Sequence, residues 1–108
     1  MDDGDIRRQA VTIFRGAATY IRQYGWQVSG MSRHGLPRCS MGALASAYHE
    51  KIWDKKLAEL MYEELYEELN GMSLTEFNYM HKDGEKVAML FDRVAEKLSY
   101  STVEQHAS

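Results

Sequence analysis

Between Asp5 and Tyr24 the apolar positions Ile6, Ala10, Ile13, Phe14, Ala17, Ile21 and Tyr24 recur every three or four residues, which puts them on one face of a helix. Asp3 or Asp5 can cap its start, where unpaired amides and the positive end of the dipole favour a carboxylate. Gly25 stands where a left-handed residue would end the helix, and Trp26 just beyond is placed to fold back onto Ile21. The pattern lapses through residues 27–39, which are rich in Gly, Ser and Arg and contain Pro37, so this stretch reads as a long ordered loop. It resumes at Ala43, Leu44, Ala47, Tyr48 and Ile52 as a second helix capped by Ser40, with small residues suited to close approach of another helix. Asp54 is a fresh cap or a kink before Leu57, Leu60, Met61, Leu65 and Leu69, a long acidic third helix stopped by Asn70-Gly71. Ser73-Leu74-Thr75-Glu76 has the form of a capping box and predicts a short helical turn around Phe77 and Met80. Asp83 or Gly84 opens the last helix, whose core positions are Val87, Leu90, Phe91, Val94 and Leu98, and the pattern ends near Tyr100.

No alternating run of β-branched and aromatic residues reaches strand length. The expectation is an all-α fold, a compact bundle of about four principal helices and a short fifth, with the long ordered loop between the first two. A chain of 108 residues, 44% of them apolar, has room for one domain. Its core is expected at about 5–99, between a flexible acidic start and a flexible tail at about 100–108.

Charge adds an asymmetry to this picture. Residues 1–53 carry a net +3 and residues 54–108 a net -6, so the two halves have opposite fields that favour packing on one another and steer charged partners. Arg8, Arg15 and Arg22 fall seven residues apart as a stripe along the first helix, followed by Arg33 and Arg38 in the loop. The stripe is expected to pair with the acidic third helix, within the chain or across a homodimer; phosphates of a nucleic acid are the alternative partner, since clustered arginines suit them. The carboxylates Glu63, Glu64, Glu67 and Glu68 crowd one helix without histidines, which reads as a solvated acidic face or a surface for a basic partner, not a di-metal site.

The single cysteine leaves no intramolecular disulfide, and no Cys/His spacing suggests zinc; no metal and no cofactor is expected. The acidic start does not resemble a secretory leader, and no stretch approaches the roughly 18 apolar residues of a membrane span. A cytoplasmic protein without membrane contact is expected. Cys39, just before a helix start and beside Arg38, is a candidate reactive thiol, with His34 in the same loop as its base. Free cysteine is among the most commonly buried residue types, and a packed, structural Cys39 is the leading expectation. Two tryptophans and seven tyrosines are a high aromatic count for this length, and such residues anchor protein interfaces; Trp26, Trp53, Tyr62 and Tyr66, with Glu63 and Glu67 alongside, are the candidate contacts.

The pattern Gly25-Trp26, Gly35, Cys39, Gly42-Ala43, then Phe77-Asn78 and a helix through Val87, Leu90 and Val94, resembles a family of small uncharacterised proteins encoded by actinobacteria and their phages. The resemblance covers residues 8–98, and the chain departs from it where the family tends to have Trp-Asn-Asp and this sequence has Phe77-Asn78-Tyr79. It implies a helical fold and an origin, and no activity. The leading expectation is therefore a non-enzymatic helical interaction module, phage-encoded and acting on a host protein. A nucleic-acid-associated regulator using the arginine stripe is the alternative, and a Cys39-dependent enzyme the second.

Overall fold

The computed structural model describes residues 3–27, 35–40, 42–44 and 54–107, with side chains through Tyr100. The fold is all-α, and among the described residues no strand forms. We label the helices α1 (Asp3–Tyr24), α2 (Lys55–Glu68), α3 (Leu74–His81) and α4 (Gly84–Ala107). Ser40 and residues 42–44 are also helical, the described start of the helix expected over 40–52; the rest of that helix lies outside the described residues.

The apolar face read for α1 is the buried one through Ile6, Ala10, Ile13, Phe14, Ala17 and Ile21; Tyr24 at its end is only half-buried, and Tyr20 is enclosed instead. Its principal partner is α4, which contributes Val87, Leu90, Phe91, Val94 and Leu98, and the Phe14 and Phe91 rings meet with centroids 5.7 Å apart. Helix α2 lies more lightly on both, through Leu57 and Met61. Burying a side chain of this size is worth about 1.5–3 kcal/mol, so the α1–α4 seam supplies most of the hydrophobic drive.

The helix ends follow from local chemistry. Gly25, at φ +97°, ends α1 with its amide donating to the Ile21 carbonyl at 2.9 Å. Asp54 is a cap and not a kink: its Oδ1 accepts from the Leu57 amide at 3.0 Å. Asn70 and Gly71, both at positive φ, close α2, and the Ser73 hydroxyl accepts from the Glu76 amide to open α3. Asp83 opens α4, accepting the Glu85 amide on its side chain at 2.9 Å.

Three boundaries differ from the sequence reading. Helix α1 begins at Asp3, inside the stretch expected to be flexible, because Asp3 and Asp5 in the first turn complement the dipole. Helix α4 runs on to Ala107, past Tyr100, because nothing after Tyr100 breaks it: the segment has no Gly or Pro, and extending a formed helix costs little. The cap of the second helix is Cys39 and not Ser40. The Cys39 carbonyl accepts from the Ala43 amide at 2.8 Å and its Sγ lies 3.4 Å from the Gly42 nitrogen, leaving Ser40 within the helix and fully buried.

Candidate functional site

Two regions hold the residues singled out by their types. The first is a knot where the loop folds back on the bundle. Trp26 and Arg38 pair as an isolated parallel bridge, the Gln27 amide donating to the Arg38 carbonyl at 3.2 Å. The Tyr20 hydroxyl holds the other end, donating to the Leu36 carbonyl at 2.8 Å and accepting from the Gly35 amide at 3.0 Å. A Cβ on Gly25 would come within 3.2 Å of Pro37 Cγ, so the glycine admits the proline as well as turning the chain.

At the centre of the knot is a buried polar chain. The Trp26 indole Nε1 donates to Ser40 Oγ at 3.1 Å, and Ser40 donates in turn to Asn78 Oδ1 at 2.5 Å. Ser40 and Asn78 are the buried polar residues of the described core, and each is tolerable there because it is satisfied. Trp26 is half-buried and spent on packing: a Cβ on Gly84 would sit 2.7 Å from Trp26 Cβ and 3.4 Å from Ile21 Cγ2, so the tryptophan packs at the end of the seam where α1 stops and α4 starts. Trp26 folds back against the core beside Gly84, and its ring is a tether to the bundle. Sequence reasoning missed Ser40 as a core residue. The signal for Asn78 was its place in the Phe77-Asn78 signature.

Cys39 is half-buried and serves as the cap described above; His34, its candidate base, lies outside the described residues. His81 packs on the Phe77 ring at 4.3 Å. Among the described residues no group of three or more His, Cys, Asp or Glu could hold a metal ion.

The arginine stripe has other partners than the acidic α2. Arg22 donates to both oxygens of Glu85 and, at 2.6 Å, to Asp92, all on the surface; these hydrogen bonds raise the guanidinium's pKa and lower that of Glu85. Arg8 pairs with Asp5 one turn earlier, Arg15 lies 3.5 Å from Ser99, and Arg38 stacks over the Tyr20 ring at 5.5 Å. Within the chain, among the described residues, the stripe forms no ion pair with α2, because α1 runs along α4, whose carboxylates are the ones within reach. On α2, Glu68 pairs with Arg93 and Lys97 of α4 at 3.0 and 2.9 Å, and the Lys97 contact above all holds its carboxyl below the ordinary range. Arg33 lies outside the described residues.

The second region is the outer face of α2. Leu57, Met61, Leu65 and Leu69 turn toward the bundle, and Tyr62 and Tyr66, one position further on, turn out, 71% and 54% exposed. Their rings are nearly parallel, 21° between planes and 6.4 Å between centroids. With Glu63, Glu64 and Glu67 they line a shallow hollow of about 470 Å³. Burial, and then the charge of Glu67, pushes the Glu64 carboxyl above the ordinary range. Among the described residues no ion pair engages Glu63 or Glu67. Trp53, the remaining aromatic candidate, lies outside the described residues.

Both regions fall within one sequence signature, since the profile of a family of unknown function (DUF6197) matches residues 6–97. The chain belongs to this family. The match takes in Gly25-Trp26, Cys39-Ser40, Asn78 and Gly84, the residues of the knot, together with the whole of α2. No curated protein and no solved structure matches the chain. Among the described residues, no helix is long and apolar enough to cross a membrane.

Proposed function

We propose that this member of the family is a small non-enzymatic interaction module, which uses the outer face of α2 to hold another protein. The observation that carries this reading is the Tyr62–Tyr66 pair: two large rings at helical spacing, held outward and nearly parallel, beside carboxylates with no partner in the described fold. Exposed single aromatics are ordinary on a protein surface. A paired set beside a hollow is the composition of an interface centre, because tyrosine buries much area while losing little side-chain entropy. The knot around Trp26 supports the same reading from the other side. Its polar groups are consumed in holding the loop to the bundle, and Cys39 in capping a helix, whereas Tyr62 and Tyr66 of α2 stand exposed and Glu63 and Glu67 have no ion pair among the described residues. The origin suggested by the signature, an actinobacterium or its phage, would make the partner a host protein in the cytoplasm.

The test is capture from an actinobacterial lysate on tagged full-length chain, with nuclease treatment, comparing the natural sequence with Tyr62→Ala/Tyr66→Ala. We expect a protein retained after nuclease by the natural chain and lost from the variant, while the variant melts within about 0.5 kcal/mol of the parent, as surface changes do. Retention that depends on nucleic acid, and that falls steeply with salt, would instead favour the arginine stripe.

A further inference from the structure

We infer that the outer face of α2 is a cation platform whose occupant is an arginine-bearing basic segment of a partner protein, seated with a guanidinium against the Tyr62 and Tyr66 rings and flanking cations on Glu63 and Glu67. This inference rests on the interaction reading above and names the partner's chemistry. Three observations select a cation. The last two turns of α2, from Tyr62 to Leu69, hold four glutamates and no lysine or arginine, and Glu63, Glu64 and Glu67 line the hollow beside the rings. The faces of aromatic rings carry negative potential, so tyrosines and carboxylates draw the same sign of charge, and each reinforces the other for a cation. An acidic peptide or a phosphate backbone would meet like charge at Glu63 and Glu67.

Arginine fits this site better than lysine. Its planar guanidinium stacks on a ring while its edge donates to carboxylates, whereas an ammonium is a compact, strongly hydrated point charge. The chain uses the same contact internally, with Arg38 seated over the Tyr20 ring at 5.5 Å. The platform is also partly set in advance. The Tyr66 hydroxyl lies 3.4 Å from where a Cβ on Gly71 would be, and the Gly71 amide donates to the Tyr66 carbonyl at 3.0 Å, so the turn that ends α2 lies against the ring. Ordering before binding lowers the entropic cost of association.

A second copy of this chain is the less suitable occupant. Most of the described arginines are engaged, Arg8, Arg22 and Arg93 with carboxylates and Arg38 over Tyr20, so self-association through this face would draw chiefly on Arg7 and Arg15.

The experiment is an NMR titration of the isotope-labelled full chain with three short peptides of equal length, bearing four arginines, four lysines or four glutamates. We expect amide and ring shifts concentrated between Tyr62 and Glu67 with the arginine peptide, weaker binding of the lysine peptide and none of the glutamate peptide. Tyr62→Ala/Tyr66→Ala should weaken the arginine peptide by about tenfold, the sum of two exposed cation–π contacts. Shifts spread evenly over the acidic surface, or an affinity that the double variant leaves unchanged, would overturn the platform and reduce the effect to general charge attraction. Sedimentation showing self-association through this face would overturn it in favour of a second copy. If the captured protein of the preceding section depends on Tyr62 and Tyr66 but the arginine peptide does not bind, the cation platform falls and the interaction module stands. If that protein ignores both tyrosines, both readings fall.

Discussion

Ser40 shows how much one hydroxyl can organise. Fully buried, it accepts from the Trp26 indole and donates to Asn78, and so joins the loop, the start of the second helix and α3 through a single atom. Removing it would leave an indole N–H and an amide oxygen without partners in an apolar setting, and each such orphan costs about 1–3 kcal/mol. Ser40→Ala should therefore lower stability by about 2–3 kcal/mol in a urea melt, well beyond the loss of a surface hydroxyl. The neighbouring Cys39 has a humbler part than its position in the sequence suggests. From the sequence it reads as a reactive thiol or a packed side chain, and the contact of its sulfur with the Gly42 amide makes it a helix cap instead.

At the scale of elements, the α3–α4 turn decides how closely the loop can dock. Asp83 starts α4 and Gly84 follows at its first position, a place where most residues are tolerated. Here the constraint is spatial: a Cβ would lie 2.7 Å from that of Trp26, backbone-proximal atoms that cannot swing aside. Gly84→Ala should cost about 1–3 kcal/mol, as overpacking does, even though alanine favours helix. Thermal melts of that variant check it, and a neutral or stabilising result would show that the loop yields. This glycine is read from the sequence as a helix signal, and its real role depends on a residue far away in the chain. By contrast the caps at Asp54 and Ser73 are legible directly, since each is satisfied by an amide three residues on.

For the molecule as a whole, the ion pairs gather around α4, which binds Arg22 of α1 through Glu85 and Asp92, and Glu68 of α2 through Arg93 and Lys97. Exposed pairs of this kind contribute little, but the Glu68 side chain is only 15% exposed and holds two partners. Its carboxyl is depressed below the ordinary 4.5, first by the Lys97 hydrogen bond. A depressed carboxyl stabilises the fold above its ordinary value, and that contribution is lost as pH falls through the folded value. Glu68→Gln should accordingly cost about 0.5–1 kcal/mol at pH 7 and less at pH 3, with a smaller penalty in high salt. Denaturant melts at the two pH values check this; a penalty that persists undiminished in acid would mean that packing, not charge, is lost.

What the sequence alone determined is local in origin. The helical periods, the glycine and asparagine stops, the caps at Asp54, Ser73 and Asp83 and the core faces of α1 and α4 depend on neighbours within a turn or two, and each is present in the structure. The exposed tyrosine–glutamate face of α2 was legible in the same way, as the positions that its own apolar stripe leaves outside. Only the tertiary structure decided the partners. It assigned Arg22 to α4 and not α2, turned Trp26 onto Gly84 and Ser40 and buried Asn78, because these choices depend on which helices lie side by side. Charge and polarity say that a group needs a partner, and distance across the fold settles which one it finds.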